Sequence, residues 1–189
     1  MRQTLLFVLI FLLLAGPSTA NENRYREQAA REAIAEMFRS MENVRADAMA
    51  AGGLAHALEV CKTVIPAMAA ARRAAMDAID VSRTSLHVLN PANAPDAWER
   101  RILETFMARA ARGEDLKTME HGEAIEIDGG ARMFRFMSAF VADSSCLACH
   151  GNAAIPEIAG QRAKLFPQGQ AAPWFPGGLA GAFSVRQPM

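Results

Sequence analysis

The five residues Cys146-Leu147-Ala148-Cys149-His150 constrain this chain more than any other stretch. Two cysteines three positions apart, followed at once by a histidine, form the C-x-x-C-H pattern of covalent haem attachment. Two thioether bonds fix one edge of the porphyrin, and the adjoining imidazole reaches the iron beneath it, where haem iron commonly takes a proximal histidine. Other chemistries use similar pieces. A thioredoxin-like dithiol sits within a βαβ unit; here Gly151 and a stretch rich in Gly and Pro follow, which does not read as a helix. A zinc site wants four ligands, usually in two pairs, and there is no second C-x-x-C and no H-x-x-x-H. The reading is one covalent haem c on Cys146 and Cys149, with His150 as an iron ligand. A periplasmic dithiol or metal-binding role for Cys146 and Cys149 is the alternative.

Covalent haem requires export, and the N-terminus supplies a matching signal. Arg2 gives a positive start, Leu5 to Ala15 is an unbroken apolar run, Gly16-Pro17 ends it, and Ser18-Thr19-Ala20 offers a cleavage point. The run is shorter than the roughly 20 residues of a membrane span. Residues 1–20 thus read as a signal peptide and 21–189 as one exported, periplasmic domain; an uncleaved signal would tether it to the membrane. No later segment reads as apolar enough to cross a bilayer. The formal net charge is zero, so no basic excess points to nucleic acid.

The third cysteine, Cys61, has no disulfide partner if the other two carry haem. Leu54, Ala57, Leu58, Val64, Ile65 and Met68 lie at helical spacing around it, which puts it on an inward helix face. It is either a small buried core residue or a second axial ligand, as a thiolate. His56, His87, His121, Met133 and Met137 are further candidates for that sixth position.

Patterning predicts helices first and a small antiparallel sheet later, an α+β order. An amphipathic helix spans Tyr25 to about Ala50, Gly52-Gly53 ends it, and a second runs from about Leu54 to Asp80 with a kink or break at Pro66. Val81 to Val88 reads as a strand. Asn90-Pro91-Ala92-Asn93-Ala94-Pro95 is a rigid turn, and Asp96 caps a helix from about Ala97 to Arg112. Glu123–Ile127 and Met133–Val141 flank Asp128-Gly129-Gly130 as a hairpin. Residues 151–178 read as an irregular cover, and Leu179–Val185 as a final buried strand.

These pieces together resemble the Tll0287-like (DUF3365) haem-binding domain family over essentially all of residues 21–189. The resemblance rests on Arg83-Thr84-Ser85-Leu86, Asn90-Pro91-Ala92-Asn93-Ala94-Pro95-Asp96-Ala97-Trp98-Glu99, Cys146-Leu147-Ala148-Cys149-His150-Gly151 and Gly181-Ala182-Phe183-Ser184-Val185. It implies a PAS-like α+β domain: an antiparallel sheet, a long N-terminal helical region and a C-terminal haem-attachment segment. It also implies one c-type haem with His150 on one side of the iron and a cysteine thiolate, matching Cys61, on the other. The chain departs from the family at Leu89 and within Phe166–Pro173, where an acid and a glycine are missing.

With both ligands in place the iron is closed, and a thiolate donor lowers its potential relative to a Met/His cytochrome. The expected function is electron transfer with a redox partner protein, or redox or gas sensing through a separate signalling partner. No acid/base constellation points to an enzyme.

Overall fold

A computed structural model describes residues 19–75, 79–150, 156–170, 172 and 174–189. The expected signal run, residues 1–18, lies outside them; Thr19 and Ala20 open the first helix. In chain order the elements are α1 (Thr19–Ala75), β1 (Asp80–Thr84), α2 (Ala97–Ala111), β2 (Glu120–Glu126), β3 (Arg132–Val141), α3 (Ser144–His150), α4 (Pro156–Leu165) and β4 (Leu179–Pro188). The strands make one antiparallel sheet in the order β1-β4-β3-β2. β4, last in sequence, enters between β1 and β3. The architecture is the expected combination of helices with an antiparallel sheet.

Alternation along β3 and β4 separates the two faces of the sheet. Phe134, Phe136, Phe183 and Val185 turn to one side and bury against Ala30, Ala33 and Met37 of α1, together with Val81 of β1. Met137 and Ala182 turn to the other side and pack on Ile102, Leu103 and Phe106 of α2. Alanines at the α1 contact let the helix backbone come close to the sheet, while the phenylalanines fill the remaining volume. Gly181 is required by a close approach: a side chain there would collide with the Thr84 carbonyl on β1.

α2 starts where the turn chemistry says it should. The Asp96 carboxylate accepts from the Glu99 N–H at 2.8 Å, and the Glu99 carboxylate accepts from the Asp96 N–H at 2.9 Å, a complete capping box. Glu99 is then buried (3 % exposed) and is held by Arg135 at 3.0 Å and by the Ser184 hydroxyl at 2.7 Å. This pins α2 to the centre of the sheet.

α1 breaks at Gly52-Gly53, as expected, with Gly53 at φ +68°, open to glycine and strained for other residues. Pro66 does not break it: φ/ψ stay helical through that position. Proline there removes one N–H donor and frees one carbonyl, on a stretch that is largely exposed. α1 also corrects a second expectation. By length and composition it contains a window apolar enough to cross a bilayer, most of it exposed. Alanines, methionines and few charges give that average. The third difference is α4, a helix inside the stretch 151–178 read as irregular. Pro156 at its first position and Ile158 and Leu165 on one side were its signals.

Candidate functional site

The motif cysteines sit on α3, a single short helix that follows β3 directly. Its start is fixed by Asp143, whose carboxylate accepts from the Ser145 N–H at 2.7 Å and the Cys146 N–H at 3.2 Å. Its end is fixed from outside. Arg162 of α4 donates to the Cys149 carbonyl at 3.0 Å, and the Ala172 N–H donates to the His150 carbonyl at 3.2 Å. These are last-turn carbonyls that lack intrahelical partners. Cys146 and Cys149 lie one turn apart, so both face the same side of α3. The His150 ring stacks on Trp174, centroids 4.8 Å apart.

α4 joins α3 to the second half of α1. Gln161 donates to the Ala55 carbonyl at 3.0 Å and to the Glu59 carboxylate at 3.2 Å, and Lys62 donates to the Leu165 carbonyl. Leu58, Ile158 and Phe166 form a small buried cluster with Leu54 and Cys149 packed against it. This docking sets the Cys61 region of α1 against the motif: Cys61 and Cys149 lie within electrostatic reach of each other. All three cysteines are half-buried free thiols.

Burial pushes all three thiols above the ordinary cysteine pKa. At Cys61 the neighbouring Cys149 adds to burial, against the opposing pull of Arg83 and Arg45. At Cys146 and Cys149 burial is again the main cause. Burial, with the charges of Arg83 and Arg162 beside it, brings the His150 imidazole down to about 4. The site therefore presents protonated thiols and a neutral imidazole at neutral pH. A neutral imidazole has a free lone pair, the form that binds iron. Among the described residues no three His, Cys, Asp or Glu side chains converge as ligands for one ion.

Sequence reasoning found the four ligand-type residues and singled out Arg83 within Arg83-Thr84-Ser85-Leu86, but not Arg45 or Arg162. Arg45 of α1 pairs with Glu42 at 2.6 Å and lies within reach of Asp143 and Cys146. Arg83 projects from β1 on the α1 side of the sheet. Its guanidinium carbon stands 4.4 Å over the Phe140 ring and 5.7 Å from the Phe183 ring. Burial lowers its pKa, against the opposing pull of Cys146, Cys61 and Glu42. Asn90, by contrast, braces the fold: its side chain accepts from the Ala92 N–H and caps the turn.

The remaining candidates for the sixth position are spread over several elements, and the cleft beside His87 is also lined by Trp174. His121 bonds Glu123 at 3.2 Å on β2, Met137 is buried under α2, and Met133 lies on β3 paired with Ile125. His56 packs on Gly52, and His87 lines an open cleft of about 620 Å³ between α2 and the segment before β4.

Comparison with known proteins gives two matches. The Tll0287-like family pattern matches residues 21–188. The crystal structure of the cyanobacterial haem-protein Tll0287 superposes with a TM-score of 0.58 at 20% identity, over 84% of this chain and 94% of that one. No curated protein matches the chain.

Proposed function

The chain belongs to the Tll0287-like family, and on that premise we propose that it is an exported, periplasmic c-type cytochrome with one covalent haem. Cys146 and Cys149 form the thioethers, His150 is one axial ligand and the Cys61 thiolate is the other. The single observation that carries this is the placement of Cys61 on α1 beside a C-x-x-C-H turn on α3, through the docking of α4. The solved relative being named a haem-protein supports it.

The residues present fit the group. The donor set is two thiols on one helical turn, a buried neutral imidazole next to them, and a third thiol from another helix. The raised thiol pKa values weigh against the dithiol alternative, since reactive dithiols depend on a lowered one. The lack of converging ligands among the described residues weighs against a zinc site, whose four donors sit about 2.0–2.3 Å from the metal.

When bound, haem supplies one-electron chemistry at iron. The chain's part is to hold the ligands. Asp143 and Arg162 fix the two ends of the motif helix, and α4 sets its distance from Cys61. Trp174 backs the His150 ring and limits its rotation. With His150 and Cys61 both holding the group, the arrangement would suit electron transfer with a redox partner protein, and no catalytic role is proposed. The family's PAS-like implication supports a second reading, sensing of redox state or a gas, in which Cys61 would be the ligand able to leave.

The test is the intact mass of protein exported in a host with the haem-attachment machinery. The expected mass is that of the chain from residue 21 plus one haem. Cys146→Ala/Cys149→Ala protein is expected without the addition. A wild-type mass without haem contradicts the proposal.

A further inference from the structure

The cleft of about 620 Å³ between α2 and the segment before β4 is a second cavity. Leu86, Leu103, Met107 and Leu179 form its walls, and Trp174 and Phe175 add two rings. Leu103 and Leu179 belong to the cluster on the α2 face of the sheet, whereas Cys149 packs with Leu58 of α1. Among the described residues none of Cys61, Cys146, Cys149 and His150 lines the cleft. Its volume falls within the about 300–1,000 Å³ typical of small-molecule sites. One residue belongs to both places: Trp174 lines the cleft and stacks on the His150 ring, centroids 4.8 Å apart and planes inclined by 25°.

The lining selects the chemistry of a ligand. Met107 and Phe175 leave 51% and 65% of their surface exposed at the cleft, and a flat apolar body would cover it. The polar groups at the rim are unevenly paired. Glu114 accepts from Arg109 at 2.8 Å and from Arg112 at 3.3 Å. Asp115 accepts the Lys117 backbone N–H at 2.9 Å. Both acids are therefore engaged. The Lys117 ammonium and the His87 ring, which also line the cleft, have no partner among the described residues. Each can donate a hydrogen bond. An aromatic body answers the walls, and an anionic oxygen answers the two open donors.

We infer that this cleft binds a small aromatic carboxylate, and that Trp174 passes its occupancy on to the His150 ring. The site stands on its lining alone; the link to iron rests on the haem reading above. A ligand that packs on Trp174 restricts the ring against which His150 is stacked, so a filled cleft changes how the imidazole is held.

The experiment is a titration of the exported holoprotein, labelled with fluorotryptophan, with naphthoate as the probe, followed by fluorine NMR and by Soret absorbance. The chain has two tryptophans, Trp98 and Trp174. Trp98 does not line the cleft and its indole N–H donates to Glu123 at 2.7 Å, so it is the internal reference. The Trp174 resonance, assigned from Trp174→Phe protein, and the Soret band are expected to move along one saturation curve while Trp98 stays. Lys117→Met is expected to weaken binding about tenfold, the loss of one charged hydrogen bond. Ala111→Phe and Met107→Glu, both at exposed lining positions of α2, are expected to block binding without disturbing the fold. An unmoved Trp174 resonance overturns the site. So does wild-type affinity in both Ala111→Phe and Met107→Glu. Equal affinity for naphthylmethylamine, of similar shape and opposite charge, or wild-type affinity in Lys117→Met, overturns the carboxylate. A shifted Trp174 with an unmoved Soret band overturns the link to His150. A wild type without haem defeats the function proposal, and the Trp174 resonance still decides whether the cleft binds.

Discussion

The Asp143 carboxylate accepts the Cys146 backbone N–H at 3.2 Å, so the first motif cysteine is anchored by the cap of its own helix. The same carboxylate also accepts from Ser145 at 2.7 Å. Losing such a cap costs about 1 kcal/mol, and on a helix this short there is little else to hold the turn. Asp143→Ala is expected to lower the haem-to-protein ratio of exported material, while Asp143→Ser, which can still cap, retains most of it. The ratio of Soret to 280 nm absorbance measures both. An unchanged ratio in Asp143→Ala would show that the cap does not position the motif.

The extent to which this site was legible depends on the kind of signal each residue gives. Cys146, Cys149 and His150 stand within five residues, so local spacing declares them. Cys61 stands 85 positions before Cys146, and its helical neighbours said only that it faces inward. Its place beside the motif depends on α4, which was missed because Gly160 and the flanking Gly and Pro residues read as irregular. The sheet was found because Ile/Glu alternation and the Asp-Gly-Gly turn are local. The order β1-β4-β3-β2 was not, because strand insertion is a tertiary choice. The charges around the site were invisible for the same reason. Arg45 and Arg162 come from different elements, and nothing in their neighbours marks them; Arg83 stands out only as the first residue of Arg83-Thr84-Ser85-Leu86.

Cys61→Ala is expected to keep the covalent haem and to change its coordination. The ferric spectrum should lose thiolate character, and the reduced protein should bind carbon monoxide readily. Absorbance spectroscopy before and after carbon monoxide addition reads both. An unchanged ferric spectrum would remove Cys61 from the iron. Ready carbon monoxide binding by reduced wild type, with Cys61 present, would favour sensing over a closed electron carrier.

The link between α2 and the sheet depends on a buried ion pair. Arg135 and Glu99 are 3.0 Å apart with side chains 6% and 4% exposed. Removing one partner leaves the other charged and buried, at a cost of about 3–5 kcal/mol. Arg135→Ala is expected to lower the denaturant midpoint strongly, far more than Arg112→Ala, whose side chain is mostly exposed. Equal midpoints for the two variants would show that the pair does not stabilise the fold.

Glu123 makes stability sensitive to acid. Its hydrogen bond from Arg101, with further donors Trp98 and His121, brings its carboxyl down from 4.5 to about 2, against a smaller opposing effect of burial. A carboxyl whose folded pKa is depressed contributes stability above its unfolded value and loses it as pH falls through the folded one. The contribution is therefore full above pH 4.5 and is lost by about pH 2. Glu123→Gln is expected to be less stable at neutral pH and to show a flatter decline across that window. Parallel pH–stability curves for wild type and variant would contradict the assignment.

The central claim is covalent haem on Cys146 and Cys149, and the most direct measurement is a pyridine haemochrome spectrum on exported protein after denaturation and acid-acetone extraction. The account predicts that haem stays with the polypeptide and gives a c-type α-band, and that Cys146→Ala/Cys149→Ala protein gives none. Haem that extracts into the acetone, or no haem at all, would contradict it and return Cys146 and Cys149 to a dithiol or metal-binding role.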